Sequence, residues 1–300
     1  PQPGRVTGAA PAGRAAAGRS VLEVLRLSTD YLQQRGSTSP RLDAELLLAH
    51  ALCVRRIDLY LLHDRPLAEP ELAAARELIR RRGTGEPVAY ITGTREFYGR
   101  PFTVTRAVLV PRPETETLVA VALERLRTTG EAARVADLGT GSGCIAVTLA
   151  AELPAVAVVA TDISDDGLAV ARDNAETNGV GDRVDFVRGD WAEPINDAVD
   201  LVVSNPPYVT TDELSAADAD VREFEPHLAL DGGRDGMDAY RALLATLAGR
   251  VLTRGVLLFE VDPRRAAAVG DAIGDSFPGA TITTHEDLAR RVRVVQGMLP

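Results

Sequence analysis

The sequence predicts an α/β protein: a doubly wound, mostly parallel sheet preceded by a small N-terminal helical bundle and a β-hairpin linker. From Arg134 onward, short apolar runs alternate with stretches of helical periodicity, the pattern of a parallel sheet with crossover helices. Within that part, Val135-Ala136-Asp137-Leu138-Gly139-Thr140-Gly141-Ser142-Gly143-Cys144 reads as strand, glycine loop and helix start. Upstream, residues 20–82 repeat apolar positions at helical spacing and hold no strand-like run.

In chain order, residues 1–19 are rich in Pro, Gly, Ala and Arg and lack an apolar core segment, so a flexible tail is expected and not a secretory signal. Ser20 is a candidate N-cap for a first helix that Gly36 stops. Further helices are expected from Pro40, over Ile57–Leu62 and over Pro70–Arg82, which makes 20–82 a helical domain suited to docking a partner. Residues 83–112 change character. Val88-Ala89-Tyr90-Ile91, Thr94–Tyr98 and Phe102-Thr103-Val104 are β-rich and broken by Gly93, Gly99 and Pro101, which predicts a hairpin linker.

The sheet domain, 113–300, opens with a stiff Pro111-Arg112-Pro113 corner and a helix over Leu118–Leu126. Strands are expected at 134–138, 156–161, 184–188, 199–204 and 255–261, with helices at 144–152, 165–178, 238–251 and 263–274. Two last strands, 280–284 and 292–296, suit an antiparallel pair at one edge.

Bulk properties narrow the function. The 300 residues carry a formal net charge of −10, a poor match for clamping nucleic-acid phosphates. All 33 basic residues are arginine, which excludes Schiff-base and P-loop lysine chemistry. Cys53 and Cys144 stand far apart with no metal-ligand spacing, so no metal is expected and a reducing cytoplasm fits. No apolar run of about eighteen residues spans a membrane. His50, His63, His227 and His285 are scattered and read as structural or solvated.

Candidate ligand groups fall at successive strand ends, where open parallel sheets collect ligands. Gly139, Gly141 and Gly143 let the backbone approach a ligand beside the free N–H groups of a helix start. A dinucleotide fingerprint requires glycine at 144, where this chain has Cys144, which disfavours an NAD-dependent oxidoreductase. Asp162 stands where a ribose-binding carboxylate belongs, and it can equally cap the following helix. Asp190-Trp191 can read an adenine edge and wall the ring, and Trp191 can equally be a core anchor.

Ser204-Asn205-Pro206-Pro207-Tyr208 follows the next strand. Its two prolines fix φ and remove two N–H donors, leaving a stiff corner rich in acceptors. The Asn205 side-chain carbonyl and the Pro206 backbone carbonyl can accept both hydrogens of a planar –NH2 group, with Tyr208 as a flat face for it.

In this order the segment from Arg134 to Ser204 resembles the class I S-adenosylmethionine-dependent methyltransferases. The Asn-Pro-Pro-Tyr element resembles that of enzymes methylating exocyclic or amide nitrogens. Gly85–Gly93, Arg95–Tyr98, Pro111–Glu116, Val221–Pro226 and Ala229–Gly236 are similar to the PrmC/HemK family, the release factor glutamine methyltransferases, with the match running from Ser20 to the C-terminus.

That resemblance implies methyl transfer from S-adenosylmethionine to the N5 amide nitrogen of the Gly-Gly-Gln glutamine in class-1 peptide chain release factors, which supports translation termination, with S-adenosylhomocysteine as product. It places the cofactor on Gly139, Thr140, Gly141, Ser142, Gly143, Asp162, Asp190 and Trp191, with Asn205 near both ligands. It gives Asn205, Pro206, Pro207 and Tyr208 to the substrate, with Asn205, Pro206 and Tyr208 catalytic. It implies a protein substrate; a cytoplasmic monomer with no direct nucleic-acid partner is also expected. The chain departs from the family pattern at Val261-Asp262, after the fifth strand, and at Arg290, where glycine is expected. The alternatives weighed are an amino-methyltransferase acting on adenine N6 or cytosine N4 and a docking protein that kept only the crevice.

Overall fold

The computed structural model describes residues 18–129, 133–217, 219–248 and 255–300. The expected tail up to residue 17, and the last residues of the helix expected over 238–251, lie outside the described residues. The chain divides into two compact units, one ending at Thr92 and the other running from Gly93 to Pro300.

The first unit holds α1 (Val21–Gln34), α2 (Pro40–Ala51), α3 (Asp58–Leu61), α4 (Glu69–Arg82) and α5 (Val88–Thr92). The start of α1 is a capping box: Ser20 Oγ accepts the Glu23 N–H, and Glu23 Oε2 accepts the Ser20 N–H. Val21, Leu25, Leu47, Leu48 and Leu72 form the centre of the core. Here one expectation fails. Val88–Ile91, read as β-rich, lies in the helical turn Val88–Thr92, because Pro87 opens it and its carbonyl accepts the Tyr90 and Ile91 N–H groups. Burial of Tyr90 and Ile91 overrides their strand propensity.

The second unit opens with a hairpin, β1 (Thr94–Phe97) and β2 (Arg100–Thr103), followed by α6 (Thr115–Thr129). Then come β3 (Arg134–Leu138), α7 (Cys144–Glu152), β4 (Ala157–Asp162), α8 (Asp165–Thr177), β5 (Val184–Arg188) and β6 (Leu201–Ser204). Two short helices not read in the sequence, α9 (Thr211–Ser215) and α10 (Ala219–Phe224), precede α11 (Asp238–Leu247), β7 (Val256–Glu260), α12 (Ala266–Ser276), β8 (Thr281–Glu286) and β9 (Val292–Met298).

The sheet order is β5-β4-β3-β6-β7-β9-β8, parallel from β5 to β7, with β9 antiparallel to both β7 and β8. The doubly wound reading holds, and the expected antiparallel pair closes one edge. Strand residues alternate between two apolar layers, Val135 and Leu258 with α6 and α7 on one face, Ala136 and Phe259 with α11 and α12 on the other. Because both faces are covered, β3 and β6 are almost wholly buried.

The hairpin is tied to α8 and the glycine loop by Asn174, which is fully buried. Its Oδ1 accepts the Thr103 N–H at 2.7 Å, while Nδ2 donates to the carbonyls of Thr103 and Ser142. The two sequence departures also have local accounts. Asp262 caps the turn Pro263–Arg265 by accepting the Arg264 N–H. Arg290 sits at φ 61° in the β8–β9 connection, a conformation natural to the glycine expected there. The Asp287 carboxylate stabilises that turn by accepting the Ala289 and Arg291 N–H groups.

Candidate active site

Parallel pairing of β3, β4, β5 and β6 brings their carboxyl ends to one sheet edge, and a cavity of about 280 Å³ opens there. That volume lies near the lower end for small-molecule sites. Gly139, Thr140, Gly141 and Ser142 line it, as do Asp162, Asp190, Trp191, Asn205 and Pro207. Gly143, Pro206 and Tyr208 do not line it; Pro206 is buried and Tyr208 packs partly buried against the second apolar layer.

The glycine loop is held from below. The Thr161 carbonyl accepts the N–H groups of both Gly139 and Thr140. Gly139 is left-handed, and a Cβ there would stand 3.1 Å from the Trp191 ring. The indole therefore packs against the loop because residue 139 has no side chain. Trp191 is itself left-handed, with its carbonyl accepting the Thr161 hydroxyl, so it serves cavity and core together. Gly143, also left-handed, N-caps α7 with Ala171 packed 3.1 Å from where its Cβ would lie.

Asp162 uses its carboxylate inside the loop system. Oδ2 accepts the Gly141 N–H at 2.8 Å and Oδ1 accepts the Ser164 N–H at 2.9 Å. The N-cap of α8 is Ser164, whose hydroxyl accepts the Gly167 N–H. Asp162 thus ties the glycine loop to the next crossover and retains lone pairs for hydroxyl donors.

Asp137, which the sequence reading left without a role, lies under this loop. Its Oδ2 accepts the Thr140 hydroxyl and the Ala146 N–H, while Oδ1 is buried without a partner. Burial, with Asp162 nearby, pushes this carboxyl up to about 7. Burial likewise pushes the Cys144 thiol up to about 12, so it remains a thiol at the cavity wall.

Two segments complete the cavity. Ala107–Thr115 contributes Val108, Pro111, Arg112 and Thr115, and residues 226–229 contribute Pro226, Leu228 and Ala229. They are joined by Arg112, whose Nη2 donates to both oxygens of the buried Glu225, and by Arg106 stacked over the Phe224 ring. These walls are invisible to spacing arguments, because Arg112 and Glu225 lie 113 positions apart. By contrast, Asp231–Gly236 forms a turn off the cavity, in which Asp231 Oδ1 accepts the Gly233 N–H. Among the described residues, no histidine lines the cavity.

Asn205, directly after β6, donates from Nδ2 to Thr115 Oγ1 at 3.2 Å. With its NH2 group committed to Thr115, its carbonyl oxygen remains for a ligand in the cavity it lines.

Comparison with known proteins places this architecture. Residues 23–93 match the PrmC N-terminal domain and residues 115–233 match the methyltransferase small domain. A release factor glutamine methyltransferase of Chlorobaculum tepidum is 42% identical over 86% of this chain and 90% of its own length. The corresponding protein of Cereibacter sphaeroides is 42% identical over 93% of this chain and 98% of its own. The chain belongs to the release factor glutamine methyltransferase family. Among solved structures, the hMettl16 catalytic domain in complex with the MAT2A 3'UTR hairpin 6 is 19% identical, with a TM-score of 0.52 over 77% of this chain and 82% of that one. At that identity the likeness is one of fold.

The cofactor of this family is S-adenosylmethionine, and the cavity suits it. A left-handed glycine loop, an indole packed on it and a carboxylate at the end of β4 meet there, with the buried Asp137 carboxyl beneath the loop.

The buried acid gives a test in the ligand-free protein. With its carboxyl at about 7 in the fold, against an ordinary 3.8, Asp137 favours folding most below about pH 4 and loses that advantage as pH rises through 7. Asp137→Asn keeps the acceptor and removes the charge. Its melting temperature is expected to gain on wild type between about pH 5 and about pH 8. A difference that stays constant over that range contradicts the buried charge.

Proposed function

We propose that this chain transfers the methyl group of S-adenosylmethionine to the side-chain amide nitrogen of a release-factor glutamine. The observation that carries the reading is the Asn205 amide, committed through its NH2 to Thr115 and lining the cavity beside the glycine loop. An acceptor fixed in that direction suits a substrate group that has only N–H to offer.

Bound S-adenosylmethionine supplies an electrophilic methyl. The nitrogen lone pair of the glutamine amide forms the new N–C bond as the C–S electrons return to sulfur, leaving S-adenosylhomocysteine. Amide nitrogen is a poor nucleophile because its lone pair is delocalised into the carbonyl. The Asn205 side-chain carbonyl, which lines the cavity, takes one substrate N–H and orients the nitrogen, and the backbone carbonyl of the buried Pro206, next in the chain, is the second acceptor proposed for the corner. As positive charge develops there, the same two dipoles stabilise it. The protonated amide is acidic and gives its proton to water, so no general base is required. Burial, reinforced by Glu260, pushes the Tyr208 hydroxyl up to about 12, which keeps it neutral.

In this reading Gly139 to Ser142 would cradle the methionine end, with Gly143 shaping the loop as the N-cap of α7, Asp162 would take the ribose hydroxyls, and Asp190 and Trp191 would hold the base. Pro207 and Tyr208 stiffen the corner around the substrate amide. Cys53 and Cys144 are free thiols, which suits a reducing cytoplasm.

Asn205→Ala is expected to lower turnover by on the order of a hundredfold while calorimetric affinity for S-adenosylmethionine stays within about fivefold of wild type. Near wild-type turnover in this variant contradicts the acceptor role.

The helical domain, 20–82, has the role of docking the release factor. Ile57 and Leu61, beside and within α3, are 61% and 78% exposed, an apolar pair suited to a protein partner. The double change Ile57→Ser, Leu61→Ser is expected to raise KM for the release factor by about tenfold, with kcat preserved. An unchanged KM removes α3 from the docking surface.

A further inference from the structure

Asn205 does not orient itself. Its NH2 partner, Thr115, is the first residue of α6 and is 2% exposed. The Thr115 side chain also faces the carboxyl of Glu260, the last residue of β7, itself 1% exposed, and favours its charged form. Glu260 thus stands at the same sheet edge as Asn205, one strand further along, since Ser204 and Phe259 are register partners. Glu260 Oε2 is buried without a partner, and the proposed chemistry gives this carboxyl no direct part.

The direction of the chain follows from donor and acceptor inventory. An amide NH2 only donates, so a hydroxyl that accepts from it must place its own hydrogen elsewhere, and Glu260 is the acceptor at hand. The order this favours is Asn205 N–H to Thr115 oxygen, with the Thr115 O–H directed toward Glu260. An ionised Glu260 can only accept, which fixes this order. A protonated Glu260 can donate to Thr115, whose hydrogen then turns toward Asn205. The Asn205 amide is then free to flip and present NH2 to a substrate NH2, donor against donor.

We infer that Glu260 and Thr115 are positioning residues for the transfer, holding the Asn205 amide with its oxygen toward the substrate nitrogen. This rests on the acceptor role of Asn205 proposed above. Charged and titratable groups face Glu260 from several elements: Arg112 and Glu114 ahead of α6, Arg293 on β9, and Tyr208 and Tyr240. Arg112 is held by Glu225, and Arg293 by Asp287 and Glu114, while burial outweighs them and pushes Glu260 up to about 7. The switch between the two orders therefore falls near neutral pH.

The test measures kcat and KM on an unmethylated release factor, with cofactor saturating, for Thr115→Val, Thr115→Ser and Glu260→Gln. Thr115→Val is expected to lower kcat about tenfold or more, with KM for the cofactor within about twofold, and Thr115→Ser to restore kcat. Wild-type kcat is expected to fall as pH drops below about 7, and Glu260→Gln, which does not titrate, to lose that dependence. If Thr115→Val does not fold, the serine variant and the pH profile of Glu260→Gln decide. A kcat for Thr115→Val within about twofold of wild type, or an acid limb unchanged in Glu260→Gln, overturns the inference while Asn205→Ala is inactive. Should Asn205→Ala itself remain active, the underlying acceptor role is what fails.

Discussion

Parallel pairing around β3 is the constraint from which the rest of the site follows. Leu138 and Thr161 are partners in one ladder and Asp137 and Val203 in the other, so β3, β4 and β6 end together. Whatever residues come next must share one edge. The glycine loop, Asp162 and Asn205 meet because hydrogen-bonded register allows them no other place. Between the ladders, Ser204 Oγ donates to the Leu138 carbonyl at 2.6 Å, joining the end of β6 to the entrance of the loop.

That edge is also where the fold accepts unfavourable features. Asp137 and Glu260 are buried carboxyls, each with one oxygen lacking a partner. Trp191 holds a left-handed backbone that a large side chain adopts only at a cost. Ordinary core packing gains nothing from such groups. Their concentration around one cavity fits sites where polar groups are preorganised for a ligand at the expense of stability. Most of the rest of the sheet is apolar packing, which stabilises the fold, although Gln296 on β9 is also buried with its Nε2 unpartnered.

Much of this was legible in the sequence because its signals are local. Alternating apolar runs and helices marked β3 through β7, and Gly139 to Gly143 and Asn205 to Tyr208 stood directly after strands. Val88–Ile91 misled because its β-branched and aromatic residues carry strand propensity, whereas Pro87 and burial of Tyr90 and Ile91 decide for a helix. The segments around Arg112 and Leu228 were seen as motifs without roles, since no periodicity tells that an arginine will meet Glu225 across 113 positions. Asp162 was legible as a strand-end acid, but not its use of Gly141 and Ser164 as donors. Thr115 and Glu260 were beyond reach for the same reason: only the assembled sheet brings them to Asn205.

The central claim, amide methylation of a release factor, is tested most directly by following labelled methyl from S-adenosylmethionine into a purified, unmethylated release factor. A partner release factor carrying Gln→Ala in its Gly-Gly-Gln motif serves as the control. The account predicts label in the first protein and none in the control. Label that persists in the control, or no label although the enzyme binds its cofactor, contradicts it.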